Sequence, residues 1–456
     1  MAPGVHFHKG GSGVSPPEVF RQRRSSEGMN HLKHVKKVLI VALSVLLFSG
    51  FAFAQVAFSV IAVPGSSPNS PIAVNNAGQV MLNTGTSVST QVSLWSSASG
   101  AQSMDLVGTN SAGSSISNSG DVVGAGDPNN TGYLQAFTWQ TVGGEQWLGS
   151  LGGNFSAASG VNDAGAVAGM SLNAANNQHA FLWTQAGGMQ DLTPNLTSVG
   201  GATAVAVNSS NQVVGYYFPN GSRNTLGFTW TQAGGLVNLG AAGTLALGVN
   251  DAGTVVGQWP SATGNSHAFS WTQAGGIQDL GSLGGESAAL SINRQGWIVG
   301  NYLISTGKGL LHGFLWTATA GMRDFTALAG LIASEQISSA QVNDLGMIAI
   351  STNKGGYLLL PKVTGQFASS GSPSVLGQPV TFTATLSSIA GPPPDGETVT
   401  FLTGTTVLGS ATLAGGVAEF TTSALKAGSH GITVQYPGDV SHPAAKLAAL
   451  TQVVSR

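Results

Sequence analysis

From residue 55 to residue 363 the apolar positions fall in short runs, each closed by Gly, Asn, Asp or Ser. Residues 157–192 show the pattern. The spacing predicts four strands, over 157–161, 166–170, 179–184 and 189–192. They are joined by Asn162-Asp163-Ala164-Gly165, an Asn-rich loop, and Gln185-Ala186-Gly187-Gly188. Asn and Asp tolerate left-handed backbone angles and hydrogen-bond their own backbone, and Gly reaches positive φ without steric cost. The strands carry Val, Ile, Phe, Trp and Thr, which suit a pleated, half-buried surface. No helix-length window of the mature chain has a 3.6-residue apolar period.

This unit recurs. Seven turn phrases, each an Asn usually preceded by Val or Ile, are anchored at Asn75, Asn118, Asn162, Asn208, Asn250, Asn293 and Asn343. They are spaced 43, 44, 46, 42, 43 and 50 residues apart. Six third strands end in Trp, at 95, 139, 183, 230, 271 and 316, with matching spacing. Four short strands per repeat of about 40–45 residues are the mark of β-propeller blades.

The count predicts how the ring closes. A seventh third strand, Tyr357-Leu358-Leu359-Leu360, lacks Trp, and no fourth strand follows it. An unassigned strand, Ala57 to Val63, precedes the first turn. Pairing these two ends completes a seventh blade and leaves no exposed edge. The fold expected is all-β: a seven-bladed propeller over 55–363, a linker over 364–373, and an immunoglobulin-like β-sandwich over 374–456. The sandwich follows from alternating strands near 380–386, 398–402, 409–413, 418–421 and 431–436 with turn signals between them.

Composition narrows the class. The chain has 456 residues, no Cys, 66 Gly and only 7% charged residues, against a usual share of about 25%. Disulfides and a lipid-modified Cys are therefore excluded. Formal net charge is −2, but residues 1–54 hold seven Lys/Arg and two Asp/Glu, so the rest of the chain carries −7. With no basic patch to follow a phosphate backbone, nucleic acid is not an expected partner. Lys33, Lys36 and Lys37 precede the apolar run 38–48, and Ala52-Phe53-Ala54 forms a small-x-small site. That pattern predicts a secretory signal peptide cleaved after Ala54, with translation starting at Met29. The run is too short for a membrane span, and none is expected once the signal is removed.

Two resemblances follow from the motifs. His-Ala-Phe-x-Trp-Thr at 179–184 and 267–272, the Val-Asn-Asp-Ala-Gly turns and Asp-Leu-Gly-x-Leu-Gly-Gly at 279–285 resemble the HAF repeat of extracellular bacterial proteins, over about 56–363. That likeness implies an extracellular setting and brings no activity or site residues. Pro373-Ser374-Val375-x-Gly377-Gln378, Thr398-Val399-Thr400-Phe401, Leu425-x-Ala427-Gly428-Ser429-His430 and Tyr436-x-Gly438-Asp439 resemble the bacterial Ig-like repeat domain, over about 367–454. Such a domain implies a spacer or adhesion role.

A search for chemistry finds little. No His-Glu-x-x-His, Cys ligand or 12-residue calcium loop is present, so neither a metal nor a cofactor is expected. Asp163, Asp251 and Asp344 of the turns are replaced in other copies by Asn76, Ser119, Ser209 and Arg294, which marks them as turn formers. His179, His267 and His312 occupy one repeat position, as do Asp105, Asp191, Asp279 and Asp324. Such equivalence points to strand-end hydrogen bonds rather than a unique catalytic set.

Departure from the repeat is more informative. The loops between second and third strands carry Asp127-Pro128-Asn129-Asn130 and Tyr133 in one unit. Another unit has Tyr216, Tyr217, Phe218, Asn220 and Arg223. Later units offer Trp259 and Asn265, then Tyr302 and Lys308. Aromatics with Asn, Arg and Lys on variable loops over a rigid scaffold suit recognition of a polysaccharide or a surface protein. Tyr216, Tyr217, Asn220, Arg223, Trp259, Tyr302 and Lys308 are the candidate ligand-binding residues. The expectation is a secreted, non-catalytic binding or adhesion protein. The alternatives are an extracellular carbohydrate-active hydrolase or lyase, marked by an acid pair on the channel, and a purely structural surface component.

Overall fold

The structure, a computed structural model, describes residues 56–456 apart from 71, 87–88, 107, 198–199, 263, 305–308 and 332–333. The signal peptide, its cleavage after Ala54, the Met29 start and Lys308 lie outside the described residues.

Among those residues there are seven four-stranded antiparallel sheets. The third blade runs Gly152–Val161, Val167–Asn173, Gln178–Thr184 and Gly188–Asp191, from innermost strand to outermost. Six blades are continuous in sequence. The seventh joins Ile337–Val342, Ile348–Thr352 and Gly355–Pro361 to Phe58–Val63. Phe58 pairs with Pro361 and Val63 with Gly356, so the chain's first described strand is the outermost strand of its last blade. The ring closes as the strand count predicts. The turn into the seventh blade includes one helix, Phe325–Ala329, capped by Asp324.

The turn phrase does three jobs at successive positions. Its Val or Ile (Val74, Ile116, Val161, Val207, Val249, Ile292 or Val342) faces the propeller axis, where the seven form an apolar collar. Its Asn is a clasp. Asn343 Oδ1 accepts from the backbone N–H groups of Leu345 and Met347, shaping its own turn. Its Nδ2 donates to the Asn75 carbonyl at 2.9 Å, across the closure. Asn75, Asn162, Asn208, Asn250 and Asn293 each reach the next blade in the same way. The third position caps the neighbour: the N–H groups of Asn76, Asn118, Ser209, Arg294 and Asp344 donate to the next blade's side chain at that position.

This network corrects the phrase register in the second blade. Ser117, not Asn118, makes the turn that Asn75 and Asn162 make in their blades. Asn118 therefore aligns with Asn76 and Asp163, and Ser119 is not the counterpart of the turn aspartates. A run of Ser and Asn at 117–119 cannot be aligned from composition alone.

A second repeated feature is steric. In six blades the innermost strand carries a register shift, as between Ala158 and Gly160. Such a bulge re-aims one residue. Here the extra residue, Ser159 in the third blade, lines the axis. In five of these blades a second-strand glycine lies opposite the bulge. A Cβ on Gly169 would lie 2.2 Å from the Ala157 carbonyl oxygen and 2.8 Å from the Phe181 ring. Phe181, fully buried, crosses that glycine as its strand partner. The phenylalanine of the repeat thus needs the glycine of the neighbouring strand.

Residues 364–455 form two further sheets. One pairs Thr364–Ser369, Val380–Ser387 and Val417–Thr422. The other orders Ser374–Val375, Leu450–Ser455, Gly428–Tyr436, Thr398–Thr403 and Thr406–Thr412, with Ala445–Lys446 added on Gly428–Tyr436. Phe382, Phe401, Ile432 and Val434 fill the space between them. The linker expected over 364–373 is mostly strand: Thr364–Ser369 pairs along its whole length with Val380–Ser387. The Ser-rich composition of 369–372 reports a turn, and the connection is only Lys362 and Val363. Val363 is itself buried in the sandwich core. The sandwich rests on the turn face of the propeller. A Cβ on Gly78 would meet Val440 at 2.8 Å, and one on Gly346 would meet Ala390 at 2.9 Å. Both glycines also have positive φ (70° and 77°), so the repeat's turn glycine here admits a neighbouring domain as well as the turn.

Candidate functional site

The loops between second and third strands, and the connections between blades, emerge on the face opposite the Asn turns. On that face the structure brings two of the predicted residues together. Tyr217, at the end of Val213–Tyr217, and Asn220 form one wall of a groove of about 320 Å3 between the third and fourth blades. Residues 192–196 form the other wall, and Pro219 and Leu236 complete it.

Both walls are held from below. Tyr217 donates its hydroxyl to Asn238 Oδ1 at 3.0 Å, and its ring leans on buried Phe228. Asn220 Oδ1 accepts from the Thr197 N–H at 3.0 Å across the groove. The opposite wall hangs on His179, which is 1% exposed. Its Nδ1 meets Asp191 at 2.6 Å and its Nε2 meets the Leu196 carbonyl at 3.0 Å. Thr193 adds bonds to Asp191 and to the Ala180 N–H. The repeated His is thus the strand-end anchor expected of it, and in this blade it shapes one wall of the groove.

The other predicted residues are elsewhere. Tyr216 points to the other side of the strand from Tyr217, as alternation requires, and is half-buried. Arg223 is exposed farther along the same loop. Trp259 is half-buried and packs against the cluster of Val214, Leu239 and Trp271 between the fourth and fifth blades.

Tyr302 is a correction: it is 4% exposed and cannot present its ring to a ligand. Its hydroxyl donates to Asp324, and its ring meets His312 edge-on at 5.8 Å. Burial, together with the hydrogen bond to Asp324 and that residue's charge, pushes the Tyr302 phenol well up. Burial also works to raise Asp324. Hydrogen bonds from Thr326, Tyr302 and His312 outweigh it and hold the carboxyl below its ordinary range. The group is a buried structural network built on the blade's His–Asp pair. Among the exposed aromatics, Tyr133 is 52% accessible and stands on the same face.

Loop composition did not reveal the wall at 192–196. A signal existed: Asp191-Leu192-Thr193-Pro194-Asn195-Leu196 replaces the Gly-rich run found at 279–285.

The axis holds two cavities touched by all seven blades. One, of about 160 Å3, is the mouth on the turn face, ringed by the third position of each phrase. There Arg294 lies 3.2 Å from Asp251 and 3.9 Å from Asp344. Burial works to raise Asp251, but bonds from Ser209 and Arg294 outweigh it and lower the carboxyl. The other cavity, of about 370 Å3, lies on the far side of the apolar collar and is lined by the innermost strands. No Asp, Glu, His, Lys or Arg lines it among the described residues. No group of three or more His, Asp or Glu suited to a metal occurs among them either.

Residues 367–455 match the bacterial Ig-like domain (group 3). No curated protein matches the chain. Among solved structures the chain is similar to a streptogramin B lyase, at 15% identity and a TM-score of 0.47, covering 66% of this chain and 97% of the lyase. It is also similar to the extracellular domain of a one-component system from B. thetaiotaomicron, at 9% identity and a TM-score of 0.45. That match covers 86% of this chain and 58% of the other. A gluconolactonase from Xanthomonas campestris matches at 11% identity and a TM-score of 0.35, covering 66% and 89%. The chain spans just over half of that B. thetaiotaomicron extracellular domain. At these values no activity carries over. Among the described residues no helix is long and apolar enough to cross a membrane.

Proposed function

We propose that this chain is a secreted, non-catalytic binding protein whose groove between the third and fourth blades holds a polysaccharide. The observation that carries the reading is the groove itself: Tyr217, two prolines and three leucines make apolar walls, with Asn195 and Asn220 at hand for hydroxyls. Its volume falls within the range of small-molecule sites, about 300–1,000 Å3, and mostly apolar lining with a few placed polar groups is their usual make-up. The amide Nδ2 of Asn220 is left for an occupant, because its Oδ1 is taken by Thr197. The likeness of residues 56–363 to HAF repeats of extracellular bacterial proteins, the signal-like leader and the Ig-like tail all favour a place outside the cell. No acid lines the inner channel wall among the described residues, and Asp163, Asp251 and Asp344 at the mouth are engaged by Arg294 or by backbone N–H groups, which favours binding over hydrolysis.

The test is retention on a panel of immobilised polysaccharides. Tyr217→Ala removes the aromatic wall and is expected to weaken binding by about 1–2 kcal/mol, roughly tenfold. Wild-type retention by that variant would sink the groove assignment. Turnover of a glycan by the purified chain would overturn the non-catalytic reading, and retention only on surface protein would redirect the ligand.

A further inference from the structure

The inner axial cavity has a lining that the turn phrase does not explain. Its walls differ by blade in an ordered way. The first blade contributes Ile72, and the fourth and fifth, across the axis, contribute Val205 and Leu247. Between these apolar walls, the second and third blades offer Ser114, Ser115 and Ser159 on one side. The sixth and seventh offer Ser291, Ser338 and Ser339 on the other, with Leu290 beside Ser291. In a seven-membered ring, the first blade faces the gap between the fourth and fifth. The sixth likewise faces the gap between the second and third. The lining therefore alternates apolar, hydroxyl, apolar, hydroxyl around the axis.

Several of these hydroxyls have no protein partner. Ser114, Ser115 and Ser159 make no side-chain hydrogen bond among the described residues. On the other side Ser338 Oγ donates to the Ser351 carbonyl and Ser291 Oγ accepts from the Val342 N–H. Ser114 is exposed and Ser115 and Ser159 are half-exposed, so water meets these hydroxyls and a ligand hydroxyl can take its place. The bulges turn Ser114, Ser159, Val205, Leu247, Leu290 and Ser338 to the axis, because these are the residues the register skips, and the paired Ser115, Ser291 and Ser339 lie beside them. At its lower end the collar separates the cavity from the mouth, since both are lined by Val161, Val207, Val249, Ile292 and Val342.

We propose that this inner cavity is a second binding site, for one neutral pyranose unit. A pyranose ring has two C–H faces and a rim of hydroxyls. One face lies against Val205 and Leu247, and the rim meets the serines of the second and third blades and of the sixth and seventh. The cavity's volume, about 370 Å3, holds one such ring with water. Its uncharged wall disfavours a uronic acid, because burying a carboxylate without a paired charge is costly. The collar limits penetration from the loop face, so the site takes the end of a glycan, whereas the groove takes its length. The proposal rests on the binding reading only for its biological setting, because ligand class here follows from the cavity wall.

The test uses the full chain with methyl-labelled Val and Leu, titrated with D-glucose, D-galactose, D-mannose and D-glucuronic acid. At least one neutral sugar is expected to shift the Val205 and Leu247 methyl signals, and glucuronic acid is expected to leave them in place. Ser159→Leu and Ser115→Leu each push a side chain into the cavity from a half-exposed position and are expected to weaken that sugar by about tenfold or more. Tyr217→Ala is expected to leave it unchanged. No methyl shift with any neutral sugar overturns the second site, even if polysaccharide still binds the groove. Binding that survives both leucine substitutions overturns it too. Loss of polysaccharide retention with intact monosaccharide shifts would instead count against the groove.

Discussion

Phe58→Ala is expected to lower the unfolding free energy by about 3–5 kcal/mol, the cost of emptying a buried phenylalanine site. Phe58 is 1% exposed and packs in a cluster with Phe325, Leu328, Ile350 and Leu359. It opens the strand Phe58–Val63, whose pairing with Gly355–Pro361 is the seam of the ring. An ordinary domain has only about 5–15 kcal/mol to lose. The substitution acts where an open ring would expose the edge of Gly355–Pro361, and edges template aggregation. Urea unfolding followed by Trp fluorescence measures the change. A loss below about 1 kcal/mol would mean that the seam does not support the ring.

Asn343→Ala is expected to cost about 2–4 kcal/mol. The side chain is 6% exposed and serves three partners: the N–H groups of Leu345 and Met347, and the carbonyl of Asn75. Alanine leaves those buried groups unmatched, at about 1–3 kcal/mol each before the turn relaxes. Asn343→Asp separates the two roles. It keeps the oxygen that shapes the turn but loses the donor across the seam, placing a carboxylate oxygen against the Asn75 carbonyl, and is expected to destabilise as well. The second blade supplies the converse. Ser117 cannot reach the Asn162 carbonyl as an asparagine would, although Ser119 and Asn118 bond to Asp163 nearby. Ser117→Asn is expected to add about 1 kcal/mol, one net hydrogen bond. Equal stability of Asn343→Ala and the parent in urea would show that the clasp is ornamental.

The legible parts of this fold are those whose cause is local. The Asn that turns the chain does so through its own residues two and four positions on, so seven turns could be counted in the sequence. The mismatch between seven turns and six Trp strands was equally local, and it placed the closing strand at the front of the chain. Where local composition is ambiguous, the pattern misleads. Ser117 and Asn118 exchanged roles, and the Ser-rich turn at 369–372 made a strand look like a linker. The site was half legible. Tyr217 and Asn220 stood out because their loop departs from the repeat. Tyr302 stood out for the same reason, yet it is buried on Asp324 and His312.

The sequence by itself determined the strand and turn pattern, the number of blades and the way the ring closes. Each of these rests on backbone preferences acting over a few residues, repeated until the count is unambiguous. Tertiary structure alone decided what each repeat touches. The Asn side chain reaches a carbonyl in the next blade, and in the last blade one that lies 268 residues away. The bulge turns Ser159 to the axis, and His179 carries the wall that faces Tyr217. These partners lie a blade or more apart in the chain, and a periodic pattern cannot specify them, because its copies look alike until the ring sets them side by side.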